Sequence, residues 1–479
     1  MDKIILVQPS DPPGMRILRD HMGRFGVRSF KYDLLPPLDL AYSASLLEKN
    51  GFEVEILDCP AFGLKKSKAI KKISKKSPDL IIVNTSGISA SDDLDFAHQL
   101  KNSTNAFIGV IGPYINHYPE NVFSKKIDVV INGEVEYTIL ELANEISLDK
   151  IKGISFKNND KIIKNPSREL ITNLDELPFP AYHLLPMKKY SYWYLPEMPF
   201  TTFQSSRGCS FKCIYCPYSL DSNSVWRGRS AENVLSELKL LKEKYKIESI
   251  LFRDQIFTLD MKRAEEICNG ISKEGLDFEW RCETRADCLS KNLMVKMKDA
   301  GCVGVHMGIE SGDQNLSKNI AKVGLSLDRV REVFNYAREI GLGTRAFFII
   351  GLPGETKETI QRTLEFAREL KANDYFFNSA TPFPGTKLYE IAEKEGWITD
   401  KNWEKFVVEE AVMRNESLTE DEIKCFTQAA NKEFGGMKIN DIQTILNRRS
   451  LEVALSEPRL AAIYIWKNIL KSVARVAHL

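Results

Sequence analysis

Three cysteines with close, unequal spacing stand in the stretch SSRGCSFKCIYCPYS, residues 205–219. Cys209, Cys213 and Cys216 form a C-x3-C-x2-C pattern, and three thiolates can ligate three irons of a 4Fe-4S cube while the fourth iron stays open to a substrate. A structural zinc site instead needs a closed set of four ligands. The remaining cysteines have no matching spacing, so the pattern favours the cluster over zinc: 59, 268, 282, 288, 302 and 425.

The elements that must position this loop form a series of alternating strands and helices in the second half of the chain. The alternation predicts a partial (β/α)6 barrel over residues 201–398, with its chemistry on the loops at the carboxyl ends of the strands. The cysteine loop follows the first strand. The segments predicted as strands are 200–209, 249–254, 278–285, 304–310, 343–351 and 374–385, and those predicted as helices are 230–244, 261–273, 290–300, 327–340 and 356–371.

The first part of the chain shows a similar alternation with shorter apolar runs. Residues 38–51 have helical periodicity and end in Asn-Gly, a helix stop signal. The pattern predicts an α/β fold with a doubly wound parallel sheet over residues 1–148. A proline-rich linker with weak hairpin character is expected over 149–200, and a small helical C-terminal region over 399–479. The predicted strands are 3–7, 53–57, 79–83, 106–111 and 127–131.

Charge and hydropathy exclude several classes of protein. The 66 Lys and Arg residues balance 65 Asp and Glu, so no overall field points to a nucleic-acid partner. The first apolar run is too short for a signal peptide, and no stretch approaches the ~20 apolar residues of a membrane span. We therefore expect a cytoplasmic protein, whose nine cysteines are reduced thiols or metal ligands.

The cysteine loop resembles that of the radical S-adenosylmethionine (SAM) enzymes. Further segments are similar, in order and spacing, to the cobalamin-associated branch of that superfamily, which includes class B methyltransferases and the anaerobic magnesium-protoporphyrin monomethyl ester cyclase group. The resemblance implies that SAM chelates the open iron and is cleaved to a 5'-deoxyadenosyl radical. The similar segments are LFRDQIFT (251–258), WRCETRAD (280–287), GVHMGIESG (304–312), FFIIGLPGET (347–356) and PFPGTKLY (382–389).

The resemblance also implies SAM-binding residues. Tyr215 matches the aromatic position beside the adenine, although it could only pack the loop. Glu283, Arg285 and Glu310 end strands on the rim that carries the cluster, where they could bind SAM or form salt bridges with one another. Asp254 is a weaker candidate, because many relatives have an acidic residue where this chain has Gln255.

The N-terminal sheet resembles the cobalamin-binding domain of the same branch. Other cobalamin domains use D-x-H-x-x-G, whose histidine ligates cobalt, whereas here the frame from Asp58 to Gly63 has Pro60 in that position. We therefore expect cobalt without a protein imidazole, or met by another nearby group. His117 could contact the cofactor or be a solvated loop residue, Cys59 is given no role, and the fold could be retained without cobalamin. The implied contacts are Asp58, Gly63, Ser86, Gly112, Pro113, Gly133 and Glu134.

These features predict a cobalamin-dependent radical SAM methyltransferase acting on an unactivated carbon or phosphorus centre. A radical SAM cyclase or rearrangement enzyme is one alternative, and an iron-sulfur electron-transfer or sensor protein is another. The expected partners are a small-molecule or lipid-like substrate and a reductant such as flavodoxin or ferredoxin. The basic amphipathic segment 460–479 could lie on an anionic membrane or pack on its own protein.

Overall fold

The computed structural model describes residues 1–29, 33–112, 119–218, 220, 224–320, 322 and 324–435. The chain divides into a compact unit, Met1–Asn431, and a second unit, Lys432–Leu479, of which only the first residues are described. The basic segment 460–479 therefore lies outside the described residues. No helix in the described part of the chain is long and apolar enough to cross a membrane.

The first sheet contains seven strands in the order β4-β1-β5-β6-β7-β8-β9. Strands β4, β1, β5, β6 and β7 pair in parallel, while β8 and β9 form a hairpin that extends the sheet antiparallel to β7. A separate hairpin, β2–β3, lies in the loop after β1. The bounds are β1 Lys3–Gln8, β2 Ile17–Leu18, β3 Val27–Arg28, β4 Glu53–Asp58, β5 Leu80–Asn84, β6 Phe107–Ile111, β7 Val129–Ile131, β8 Ile154–Asn158 and β9 Lys161–Lys164.

This sheet confirms the predicted doubly wound fold. Its central strands β1, β5 and β6 are buried along nearly their whole length, as expected for a parallel sheet covered on both faces. The strand order reverses between β1 and β5, so a crevice opens there at the carboxyl ends of the strands. The accompanying helices are α1 Leu38–Lys49, α2 Cys59–Phe62, α3 Lys66–Ser74, α4 Ala90–Ser103, α5 Pro119–Phe123 and α6 Glu136–Ala143.

The second sheet contains six parallel strands in the order β10-β13-β14-β15-β16-β17, which confirms the predicted partial barrel. The short antiparallel pair β11–β12 closes the base of the cysteine loop. The bounds are β10 Phe200–Phe203, β11 Ser206–Arg207, β12 Arg227–Gly228, β13 Ser249–Phe252, β14 Glu279–Thr284, β15 Cys302–Glu310, β16 Gly343–Ile350 and β17 Asp374–Ser379.

Side-chain caps explain why the barrel helices begin where the sequence predicts. Each of five helices starts after a Ser, Asp or Thr whose side-chain oxygen accepts a backbone N–H of the first turn, which satisfies one of the donors left open there. The helices are α7 Ala231–Tyr245, α8 Met261–Lys273, α9 Lys291–Asp299, α10 Gln314–Asn319, α11 Leu327–Glu339, α12 Lys357–Leu370, α13 Lys387–Lys394 and α14 Glu420–Phe434.

The segment expected as a linker is packed against both sheets. Its first part supplies the β8–β9 hairpin, and its aromatic run enters the barrel near the start of the strands. There the guanidinium of Arg345 lies 3.4 Å from the ring centre of Tyr194, and Arg281 Nε donates to the Tyr194 carbonyl at 2.9 Å. The aromatic run therefore closes the amino-terminal end of the barrel, and the opposite end is left for the reacting groups.

Candidate functional site

The cysteine loop lies at the carboxyl end of β10, as predicted. All three cysteines are partly buried thiols. Burial and the neighbouring Cys213 raise the pKa of Cys209, and the same two causes raise the pKa of Cys216 to about 12. Cys209 and Cys216 therefore both lie near Cys213. In the part of the chain that the structure describes, no three His, Cys, Asp or Glu side chains converge tightly enough for a single metal ion.

Backbone and side-chain bonds hold the loop at its start and in its middle. Gly208 N donates to the Gln255 side-chain oxygen at 3.0 Å, so the glutamine that replaces the expected acidic residue orients the start of the loop. Ile214 in the middle of the loop bonds through its backbone to Ile320 and Leu388. Asp254 accepts hydrogen bonds from Ser205, including one from its hydroxyl at 2.8 Å, and so fixes the turn after β10.

Two cationic side chains lie near the thiols. Arg285 and Lys322 both act to lower the pKa of Cys209, against the larger effect of burial. The Arg285 guanidinium lies 3.6 Å from the ring centre of Phe211, inside the loop, and donates to both oxygens of Asp287 at 2.9 and 2.7 Å. Arg285 is therefore at the cysteine loop as predicted, but its carboxylate partner is Asp287 and not one of the two glutamates.

Tyr215, Glu310 and Lys322 form a buried cluster beside the cysteines. Glu310 Oε1 accepts the Tyr215 hydroxyl at 2.8 Å and the Lys322 ammonium at 2.5 Å. The side chains of Glu310 and Lys322 are only 7% and 5% exposed, so this ion pair is shielded from water. Glu310 has φ = 72°, an uncommon value for a residue with a side chain, at the point where β15 shifts register against β16. The fold thus holds this carboxylate in a strained position at the rim.

Glu283 belongs to a separate group on the same rim. Its carboxylate accepts from Arg253 Nη1 at 2.7 Å. Arg253 also lies within hydrogen-bonding distance of the Tyr218 hydroxyl, which in turn accepts from the backbone N–H of Met22 in the first-sheet region. The structure therefore separates the predicted SAM contacts: Tyr215, Arg285 and Glu310 lie by the thiols, whereas Glu283 lies toward the N-terminal sheet.

A cleft lies between the carboxyl ends of the two sheets. Its cavity volume is about 130 Å³. The cysteine loop borders it at Gly208 and Tyr218. The N-terminal side of the lining is Asp20, Gly23, Arg24, Leu35, Pro36, Leu38, Asp39, Gly133 and Glu134, and the barrel side is Thr202, Gln204, Arg207, Gly208, Tyr218, Arg227, Arg253 and Gln255.

A network of buried ion pairs joins the two sides of this cleft. Glu134 accepts from Arg207 at 3.3 Å and from Arg227 at 2.9 Å, and Arg207 also bonds to Glu136 at 2.6 Å. These arginines outweigh the effect of burial and lower the pKa of Glu134. Glu134, predicted as a cofactor contact, thus lies on the cleft, but both of its carboxylate oxygens bond to arginines of the barrel. The adjacent Gly133, also predicted as a contact, has φ = 71° and turns the chain toward the cleft.

The crevice of the first sheet contains polar groups that are not fully bonded. Gln8 and Asn84, at the ends of β1 and β5, are joined by a 2.7 Å hydrogen bond. The Asn84 side-chain oxygen and His21 Nδ1 are buried, and neither has a hydrogen-bond partner among the described residues. Burial, aided by Arg253, holds the pKa of His21 well below its usual range, so its imidazole is neutral.

The other predicted contacts of the first sheet have internal partners or lie at its edge. Asp58 is buried, accepts from Ala61 N at 3.2 Å and from the Tyr190 hydroxyl at 2.8 Å, and has its pKa raised to about 6 by burial. Gly63 ends α2 at an exposed position. Ser86 is buried and bonded to Ser89 of its own loop and to Asp93 of α4.

The remaining N-terminal predictions concern the loop after β6. Gly112 has φ = 149°, and a Cβ there would lie 2.3 Å from the Thr85 hydroxyl, so only glycine fits where the two loops meet. Pro113 and His117 lie outside the described residues.

Several residues at the site were not predicted from the sequence. The long loop after β1 supplies Asp20, His21 and Arg24, although the sequence directed attention to the loop after β4. The topological rule for doubly wound sheets would have indicated the β1 loop, because it flanks the strand reversal. Arg253 lies in the segment 251–258, which was noted only for its similarity to the family, and Lys322 lies in no segment that the sequence analysis named.

Comparisons with known proteins agree with this architecture. The family model described as "Radical SAM superfamily" matches residues 203–367. An uncharacterized methyltransferase of Pyrococcus horikoshii is 36% identical over 406 residues, covering 83% of this chain and 87% of that protein. The cytidylyl-2-hydroxyethylphosphonate methyltransferase of Streptomyces wedmorensis is 27% identical over 429 residues, covering 77% and 80%.

A solved structure shows the same fold. The radical SAM methyltransferase TsrM from Kitasatospora setae, with cobalamin and a 4Fe-4S cluster bound, superposes with a TM-score of 0.67. The alignment covers 83% of this chain and 76% of that one at 18% identity. At this identity the likeness establishes the arrangement of the two sheets.

Proposed function

Because this chain belongs to the radical SAM superfamily, we propose that it is a cobalamin-dependent methyltransferase acting on an unactivated carbon or phosphorus centre of a small molecule. The observation that carries the proposal is the placement of the three-thiol loop on a cleft shared with the crevice of a doubly wound sheet. One wall can thus hold a cluster with SAM, while the facing wall can hold the corrin.

The donor set fits a 4Fe-4S cluster. We assign Cys209, Cys213 and Cys216 as its ligands, since they stand in one loop with C-x3-C-x2-C spacing and a cube needs three protein thiolates when its fourth iron binds a substrate. The pKa of Cys216, about 12, describes a thiol in the absence of metal, and ligation to iron stabilises the thiolate. Arg285 and Lys322 then lie where they offset the negative charge of the bound thiolates.

The residues around the loop fit SAM. Tyr215 is the residue we assign to the adenine, and its hydroxyl bond to Glu310 fixes the ring orientation. Glu310 has one oxygen committed to Tyr215 and Lys322, which leaves the carboxylate able to accept a ribose hydroxyl or an ammonium group. Arg285, already paired with Asp287, contributes positive charge close to the position of the SAM carboxylate.

The first sheet fits a corrin at its crevice. The strand reversal between β1 and β5 is where such sheets bind ligands, and two buried polar atoms there have no hydrogen-bond partner among the described residues. When bound, the cluster with SAM supplies a 5'-deoxyadenosyl radical and cobalamin supplies a transferable methyl group. The protein holds both cofactors and the substrate in one cleft, whose two sides the Glu134–Arg207–Arg227 network joins.

The relatives support a polar small-molecule substrate, since one of them is named for a cytidylyl phosphonate. We also propose a cytoplasmic location and a flavodoxin or ferredoxin as the source of electrons.

The proposal is tested by cofactor content and product analysis of protein prepared anaerobically with cobalamin supplied. We expect about four irons, the content of one cube, and about one corrin per chain. With SAM, reductant and a phosphonate or natural-product substrate panel, the enzyme should form 5'-deoxyadenosine and transfer an isotopically labelled methyl group from SAM to the substrate. Cys213→Ala should lose the iron, whereas Cys425→Ser, at an exposed cysteine far along the chain, should keep it.

The same experiment separates the alternatives. Formation of 5'-deoxyadenosine and product without label would indicate a cyclase or rearrangement enzyme. A full cluster that never yields 5'-deoxyadenosine would indicate an electron-transfer or sensor protein. A full cluster without corrin would exclude methyl transfer by this route.

A further inference from the structure

A small cavity in the first sheet lies against the main cleft. It is lined by residues from the loop after β1 together with Asp58, the last residue of β4, and Pro60 of α2, and it shares Asp20 and Leu35 with the main cleft. Pro60 occupies the position of the histidine in the D-x-H-x-x-G frame, so that loop offers no imidazole. His21 lines the same cavity from the opposite loop.

The imidazole of His21 is placed for coordination. Its Nδ1 is buried and has no hydrogen-bond partner among the described residues, which is costly unless a ligand satisfies it. Its backbone is fixed, because His21 N donates to the Leu18 carbonyl at 3.3 Å and Gly26 N donates to the His21 carbonyl at 3.0 Å. Gly23, two residues later, approaches the backbone of Pro217 so closely that a Cβ would lie 2.8 Å from its oxygen. The loop carrying His21 is thus held between the crevice and the cysteine loop.

The other described histidines are engaged or remote. His98 Nδ1 contacts the Lys125 carbonyl at 2.7 Å, and His183 contacts Glu48 at 2.9 Å. His306 lies in the middle of barrel strand β15, next to Phe347. His21 is therefore the described histidine that faces the crevice where we place the corrin.

We propose that His21, supplied by the loop after β1, is the lower axial ligand of cobalt in this protein, replacing the histidine that the motif loop lacks. The assignment rests on the proposed binding of cobalamin. In this arrangement an imidazole nitrogen coordinates cobalt and displaces either a water or the cofactor's own benzimidazole, with no change of oxidation state. Of the two alternatives that the sequence leaves open for cobalt, this proposal takes the second, a ligand from another nearby group.

The test is electron paramagnetic resonance of the bound cofactor reduced to cob(II)alamin, which does not depend on turnover. The unpaired electron couples to an axial nitrogen, giving triplet splitting for ¹⁴N and doublet splitting for ¹⁵N. Full-length protein is produced with ¹⁵N-histidine and unlabelled cobalamin. We expect doublets in the wild type, their loss in His21→Ala, and their retention in His183→Ala, the matched control at an exposed histidine.

Each outcome has one meaning. The assignment is supported if the doublets vanish only in His21→Ala while that variant retains its corrin. Adding unlabelled imidazole to His21→Ala should then produce triplets. Triplets in the labelled wild type would show that the cofactor's own base is the ligand, and unsplit lines would show an oxygen ligand or an empty position; either result overturns the role of His21 while leaving cobalamin binding intact. Absence of corrin from the wild type would overturn both the proposed function and this inference.

Discussion

The buried pair of Glu310 and Lys322 gives a sharp prediction, because the two charges lie 2.5 Å apart in side chains that are 7% and 5% exposed. At an effective dielectric constant of about 20, charges at this distance attract by roughly 7 kcal/mol. The cost of removing both from water offsets most of this attraction, but deleting one partner leaves the other charge buried and costs about 3–5 kcal/mol. Glu310→Gln and Lys322→Met should therefore each lower the free energy of unfolding by about 3 kcal/mol at neutral pH.

The double variant should recover most of that loss, because it contains neither charge. We expect the unfolding free energy of Glu310→Gln/Lys322→Met to lie within about 1–2 kcal/mol of the wild type, which gives a coupling energy of several kcal/mol. The assay is urea unfolding of cluster-free protein followed by circular dichroism. The control is Glu332→Gln, at a solvent-exposed pair with Arg329, which should leave the unfolding midpoint unchanged.

Two results would refute this reasoning. If the single substitutions were each harmless, the pair would not be shielded from water as its exposure indicates. If the losses simply added in the double variant, the two charges would not interact at the distance that the structure gives. In the loaded enzyme, both single variants should also weaken SAM binding, measured as its Kd, because Tyr215 and the SAM contacts share the Glu310 carboxylate.

Three further predictions concern other parts of the site and its support. Glu134→Gln should lower the unfolding free energy by about 3 kcal/mol in urea titrations, because it leaves buried arginines short of a charge, whereas the exposed Glu169→Gln should not move the midpoint. Burial raises the pKa of Glu355 to about 8, so the folded protein keeps a proton on this carboxyl that the unfolded chain releases at lower pH. The free energy of unfolding should therefore fall as the pH rises from about 4.5 to 8. Glu355→Gln should make this fall smaller in melting curves recorded across that range. Gly112→Ala should lower the free energy of unfolding by at least about 2 kcal/mol, because the added Cβ clashes with Thr85 and φ is unfavourable for alanine. The control Gly133→Ala has open space around its Cβ and should lower it by about 1 kcal/mol. Equally small decreases for both variants would contradict the clash.

The strands and helices were predictable because their signals are local. Runs such as KIILV and DLIIV can only be buried strands in an alternating pattern, and the caps at Ser230 and Asp260 precede amphipathic segments directly. The β8–β9 hairpin was recognised as a weak hairpin, but its place in the first sheet was not. The hairpin pairs with β7 because β7 would otherwise be the edge strand of the first sheet, and the hairpin's own residues do not indicate which strand it joins.

The site was predictable only where a motif names its residues. The three cysteines and Glu310 follow from the resemblance, and the structure brings Tyr215, Arg285 and Glu310 to the same loop. By contrast, Lys322 meets Glu310, and Arg253 meets Glu283, through the approach of different strands and loops. Such contacts depend on strand order and register, so no spacing in the sequence reports them.

The cleft exists because both sheets present their carboxyl ends to it and because charge holds them in place. Arg207 and Arg227 bracket the cysteine loop at β11 and β12, and both reach Glu134 after β7 of the other sheet. The strands that close the base of the proposed cluster site are therefore the same ones that bind the N-terminal domain. A change at Glu134 should consequently alter both the distance between the two cofactor sites and the stability, because a single set of buried ion pairs serves both purposes.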